Sequence, residues 1–187
     1  MNLTAKNALR ELVAGNLRFV EGCQTAQNIA INRSELSKGQ SPIAAVIRCA
    51  DSRVAPELVF DQPLGSLFVC GVAGNIPTPE IIESIEYAVQ RLGTLLIVVM
   101  GHSNCGAVSA ALHNEVVDGV FAQVALAPIP DLDECIAYNA EQGINTILGT
   151  SRIIEDAVKN GIVQLVAGVL NIETGVFELV AQTKLSN

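Results

Sequence analysis

Two short stretches hold the residue types from which a catalytic centre can be built: Cys49-Ala50-Asp51-Ser52-Arg53 and, further along, His102-Ser103-Asn104-Cys105. Together they offer two thiolates, an imidazole and a carboxylate, with an arginine beside the carboxylate. Thiolate and imidazole are donors that zinc prefers, and three protein ligands with an exchangeable fourth position mark a catalytic zinc rather than a structural one. Each residue alone has an ordinary reading. A cysteine after an apolar strand is usually core packing, Asp51-Ser52 could form a turn or cap, and His102 could be a loop histidine. The joint pattern points to a metal site, with Cys49, Asp51, His102 and Cys105 as the candidate ligands and zinc as the cofactor.

The elements that must position these residues are legible as apolar runs. Ile43 to Ile47 leads to Cys49, and Leu95 to Met100 leads to His102, each predicting a buried parallel strand. In an extended segment residues two apart face the same way, so Cys49, Asp51 and Arg53 can project together. His102 and Cys105 lie three apart in a predicted strand-to-helix turn, which Gly101 and Gly106 are expected to tighten. Both segments leave the carboxyl ends of strands, where open α/β sheets place their sites.

The remaining pattern completes the frame. Thr4 as N-cap opens an amphipathic helix over residues 4–21, with Leu9, Leu12, Val13, Leu17 and Val20 as its apolar stripe, expected to pack on a partner subunit. Residues 22–40 read as polar and irregular, with a short helix near Ser34 to Lys38. Leu67 to Val72 predicts a strand, and Thr78-Pro79-Glu80 opens a helix that Gly93 closes. A helix begins near Cys105-Gly106, the stretch 114–135 is broken by Pro128 and Pro130, and a further helix covers roughly 146–159. Val163 to Leu170 and Val176 to Ala181 read as strands joined by a turn. The alternation predicts an α/β fold with a mainly parallel central sheet flanked by helices. It is read as a single domain over residues 1–187, with 1–40 as an N-terminal helical arm.

Half of the 187 residues are hydrophobic, enough for one full core. A net charge of −8 argues against nucleic acid or an anionic membrane as partner. The N-terminus lacks a basic region followed by an apolar stretch, and no apolar run approaches the ~20 residues of a membrane span. A cytoplasmic chain is therefore expected. Five cysteines, an odd number, speak against a disulfide framework, and Cys23, Cys70 and Cys135 read as free thiols.

Around the two motifs the chain resembles the β-class carbonic anhydrases. CADSRVAPELVFDQPLG, FVCGVAGNIPTPE, SIEYAVQRLGTLLIVVMGHSNCGAV, NIETGVFELV and ALRELVAGNLRFVEG are all similar to that family, and the likeness is weakest over 112–142. The resemblance implies zinc held by Cys49, His102 and Cys105, and a homodimer or homotetramer. It implies reversible hydration of CO2 to bicarbonate and a proton by zinc-bound hydroxide. Hydrolysis of carbonyl sulfide or carbon disulfide is the alternative, since these are also linear heterocumulenes with an electrophilic carbon. Two roles are open to Asp51. As a fourth ligand it would displace water and silence the site; held off the metal by Arg53, it would orient the hydroxide, the Asp–Arg dyad that the resemblance implies.

The chain also departs from the family. Many relatives carry a basic residue where this chain has Gly71, and in one regulatory subgroup that arginine, with a tryptophan and a tyrosine, holds inhibitory bicarbonate. This chain has no tryptophan, so that regulation is not expected here. Cys70-Gly71 is expected to alter the shape or polarity of the pocket.

Overall fold

A computed structural model describes residues 4–25, 29–115, 118–128 and 131–184, with the side chains of 29–32 excepted. Its centre is a five-stranded sheet in the order β2-β1-β3-β4-β5, made by Ala44–Cys49 (β1), Leu67–Val72 (β2), Leu96–His102 (β3), Gln164–Leu170 (β4) and Phe177–Gln182 (β5). The β1–β2, β1–β3 and β3–β4 pairs are parallel, and β5 turns back antiparallel onto β4. The all-apolar runs of β1 and β3 are explained by their place. Helices cover both faces, so neither face of a central strand meets water.

Among the described residues seven α-helices frame the sheet: Ala5–Val20 (α1), Ile29–Leu36 (α2), Pro56–Val59 (α3), Pro79–Leu92 (α4), Gly106–Leu112 (α5), Leu132–Thr150 (α6) and Arg152–Lys159 (α7). On one face α1, α3, α5 and the start of α6 bury Ala8, Leu12, Val59, Val108 and Ile136 against Val46, Val98 and Val166. On the other, α4, the end of α6 and α7 bury Ile82, Ile85, Ile144, Ile147 and Ile154 against Ile47, Ile97 and Leu165. α6 therefore joins both clusters.

Local chemistry sets most boundaries. Thr4 caps α1, its hydroxyl accepting from the Asn7 amide at 3.1 Å. Thr78 stands at the N-cap of α4 with Pro79 behind it but makes no capping hydrogen bond, while Gly93 closes the helix at φ 70° as expected. The short helix in the connector runs over Ile29–Leu36, earlier than the expected Ser34 to Lys38.

The helix expected over 146–159 is two helices. Asp131 caps α6 through the amides of Asp133 and Glu134, and α6 continues to Thr150. Ser151, with φ −101° and ψ 105°, then ends α6 and caps α7 by accepting from the Ile154 amide. Pro128 precedes this start; Pro130 lies outside the described residues.

The amphipathic stripe of α1 divides between two environments. Ala8, Leu12 and Asn16 turn inward, and Gly15 packs so tightly that a Cβ there would stand 1.8 Å from the Phe60 carbonyl oxygen. Asn16 then ties three strangers together, donating to the Val59 and Gly175 carbonyls and accepting from the Phe177 amide. Val13, Leu17 and Val20 remain on the outer face, with Leu17 57% exposed.

Candidate active site

The two motifs meet because β1 and β3 are neighbours and run in the same direction. Cys49 is the last residue of β1 and His102 the last of β3, while Cys105 stands at the N-cap of α5. Their sulfur and nitrogen donors all lie within 4.8 Å of one another and all three residues are buried, a group that could hold a metal ion. His102 is thus part of the strand, not of the turn. That turn is made by Asn104 at φ 54°, whereas Gly101 and Gly106 keep ordinary negative φ. The expected role of the two glycines is therefore corrected. Asn is the commonest non-glycine residue to take this left-handed conformation.

Each donor is held from behind. His102 Nδ1 lies 3.0 Å from the Ser103 carbonyl oxygen and donates to it, which leaves Nε2 with its lone pair facing the cluster. Nε2 is buried and makes no hydrogen bond. Cys49 Sγ accepts from the Gly74 amide at 3.3 Å. Gly74 lies at φ 75° in the 3₁₀ turn Ala73–Asn75 that follows β2, a conformation that a side chain would strain.

The thiols act on each other. Hydrogen bonding from Cys105, and further the nearby His102 imidazole and the Gly74 amide, lowers the Cys49 pKa. The resulting thiolate, with burial, pushes Cys105 upward. Burial works against a charged His102, but the Cys49 thiolate and the Ser103 carbonyl outweigh it and raise the imidazole. One thiolate, a second thiol that would ionise on binding a cation, and an imidazole nitrogen without a hydrogen bond form a set that fits Zn²⁺.

Asp51 stands beside this cluster with both carboxylate oxygens on Arg53. Arg53 Nε donates to Oδ1 at 2.9 Å, Nη2 to Oδ2 at 2.7 Å, and the Arg53 amide also reaches Oδ1. This fork holds the Asp51 carboxyl well below the usual carboxylate range, against a smaller opposing effect of burial. Oδ2 is 3.9 Å from His102 Nε2. All five sequence-derived site residues therefore converge, with Asp51 facing the donors from its grip on Arg53.

Two supporting residues carried no sequence signal. Asn139 on α6 donates to the Gly74 carbonyl at 2.9 Å and accepts from the Ala125 amide at 3.0 Å, so it fixes the peptide behind Cys49. Arg48 donates to the Cys49 and Asp51 carbonyls. Asn139 lies where the family likeness is weakest, and neither residue belongs to a recognisable motif.

The geometry agrees with the kinship of the chain. A family profile described as carbonic anhydrase matches residues 44–177. Carbonic anhydrase 2 of Mycobacterium tuberculosis is 34% identical over 184 residues, covering 90% of this chain and 89% of its own. The solved β-carbonic anhydrase CcaA superposes with a TM-score of 0.70 at 26% identity, covering 92% of this chain and 87% of its own. A β-carbonic anhydrase of Sordaria macrospora, described as tetrameric, shares the fold with a TM-score of 0.72 at 23% identity, over 95% of this chain and all of its own. A buried Cys-His-Cys cluster at the carboxyl ends of β1 and β3, on this sheet and with these relatives, makes the chain a member of the β-class carbonic anhydrase family.

Proposed function

We propose that the chain hydrates CO2 reversibly to bicarbonate and a proton at a zinc ion held by Cys49, His102 and Cys105, with Asp51 and Arg53 as the catalytic pair. When bound, zinc supplies a water acidic enough to ionise near neutral pH. The rest is the work of the chain. Cys49 and Cys105 offer thiolates, and the Gly74 amide and the Ser103 carbonyl fix two of the three donors in place. Asp51, ionised because Arg53 grips it, accepts a hydrogen bond from the attacking oxygen and turns its lone pair toward the carbon of the substrate. Because Arg53 occupies both carboxylate oxygens, Asp51 is kept from competing as a ligand. The buried apolar surroundings of Cys49, Val54 and Val108 suit an uncharged linear substrate.

The observation that carries this reading is the position of Asp51, clamped by Arg53 yet 3.9 Å from the unpartnered nitrogen of His102. A structural zinc needs neither partner. Turnover of CO2 and of carbonyl sulfide, measured side by side on zinc-loaded protein, tests it. CO2 is expected to give the higher kcat/KM; a carbonyl sulfide value well above it would move the substrate assignment to that heterocumulene with the same residues in the same roles.

The reading extends to the whole chain as one domain and to a homodimer or homotetramer, supported by the apolar outer face of α1. A cytoplasmic setting is supported by the five cysteines, all free. Among the described residues no helix is long and apolar enough to cross a membrane.

A further inference from the structure

Gly71 and Arg48 are cross-strand partners, Gly71 on β2 and Arg48 on β1. A Cβ on Gly71 would stand 3.3 Å from the Arg48 carbonyl oxygen, 3.4 Å from its Cγ and 3.6 Å from its Nε. The carbonyl of Arg48 stands close to the place a Cβ would take and its side chain packs just beyond, so a large side chain at 71 would have to share that space with the arginine. From there Arg48 Nη1 donates to the Cys49 carbonyl at 2.7 Å and the Asp51 carbonyl at 3.3 Å. Its Nε is buried without a hydrogen bond. A buried donor without a partner is unfavourable, so the conformation must be held by the contacts at its other end.

Those contacts close on a short segment with two duties. Cys49 supplies a thiolate, and two residues later Asp51 supplies the carboxylate. Arg53 fixes that carboxylate at its tip, while the peptide at its root is tied on one side by the Ala50 amide, which donates to the Val72 carbonyl at 3.0 Å, and on the other by Arg48. We propose that Arg48 is a positioning residue that fixes this root: by gripping the carbonyls of Cys49 and Asp51 it sets the peptide from which the carboxylate springs. Gly71 leaves room for it, because a large side chain at 71 would compete with the arginine for the same space. The glycine that departs from the family pattern is then not a gap in the pocket wall but the seat of an arginine contributed by the neighbouring strand. The inference rests on the role of Asp51 proposed above.

Four single variants and one double variant of the zinc-loaded protein test it, each characterised by zinc per chain, melting temperature, kcat and KM. Arg48→Met keeps the apolar stem over Gly71 and removes the donors. It is expected to retain zinc and KM while kcat falls about 10-fold or more, the loss typical when the support of a site residue is removed. Arg48→Lys returns a charged donor on a similar stem and is expected to recover most of that loss. Gly71→Leu, with Arg48 intact, is expected to lose kcat as Arg48→Met does. Asp51→Asn separates the inference from the reading beneath it. Added to Asp51→Asn, the Arg48→Met change is expected to cost nothing further, because Arg48 acts through Asp51.

An Arg48→Met kcat close to wild type, an Arg48→Lys no better than Arg48→Met, an unimpaired Gly71→Leu, or a full additional loss on the Asp51→Asn background would each overturn the inference and leave the role of Asp51 standing. Normal turnover by Asp51→Asn itself would overturn that role, and the inference with it.

Discussion

A buried imidazole nitrogen without a hydrogen bond is costly, and His102 Nε2 is such an atom, set among two sulfurs and close to a carboxylate. The cluster gains by enclosing a cation, and the groups behind it limit how the donors can turn. Asn139 is the most remote of these, bonded to the Gly74 peptide across 65 residues of sequence. Its removal leaves the buried Gly74 carbonyl and the part-buried Ala125 amide without this partner. Asn139→Ala is expected to lose about 1–3 kcal/mol of stability and to release zinc to a chelator about 10-fold faster or more, the scale of lost second-layer support. Unchanged release in a normally folded variant would show that the Gly74 peptide needs no such brace. The five site residues were legible in the sequence because each lies in a short motif at a strand end. Asn139 and Arg48 were not, because they act on the backbone of residues that only the fold brings near.

At the scale of elements, strands and helix starts were the readable part, since burial on both faces of β1 and β3 leaves an unbroken apolar run. The division at Ser151 was not readable, because one serine ends α6 and begins α7 while the apolar spacing runs on. Nor was the docking of α1, which depends on a buried carboxylate far away. Asp61 binds Arg18 Nε at 2.5 Å and the amide and hydroxyl of Thr25, and so joins the end of α1 and the chain beyond it to the segment after α3. Burial raises the pKa of Asp61, but the bonds from Arg18 and Thr25 outweigh it, and the net shift is downward.

A carboxyl lowered on folding gives stability that is fully present above its unfolded value, about 3.9, and lost as pH falls through the folded value. The gap in urea midpoint between wild type and Asp61→Asn is therefore expected to be constant from neutral pH down to about pH 5 and to shrink below about pH 4. A gap independent of pH would contradict the ionic account of this clamp.

At the scale of the whole molecule, the order of the strands does the decisive work. Placing β1 beside β3 in parallel brings two motifs, far apart in the chain, to one end of the sheet. Once the alternation of strands and helices was recognised, the sheet could be inferred; its order could not, because either neighbour of a buried strand satisfies the same apolar pattern. The surface holds one further consequence. Val13, Leu17 and Val20 share the outward side of α1 at 40%, 57% and 40% exposure. In the homo-oligomer proposed above this face would be covered, so Leu17→Glu is expected to lower the mass seen by sedimentation. An assembly indifferent to that charge, or a fully active monomeric wild type, would move the interface elsewhere.

The claim on which the rest depends is that CO2 is hydrated at a zinc ion held by Cys49, His102 and Cys105. Stopped-flow CO2 hydration during zinc titration of metal-stripped protein tests it most directly. The rate is expected to be near background without zinc, to rise in proportion to the zinc taken up, and to level off at one ion per chain, with Cys105→Ala neither retaining the metal nor recovering the rate. Full hydration by stripped protein, or a zinc-saturated chain inert toward CO2, would contradict the account.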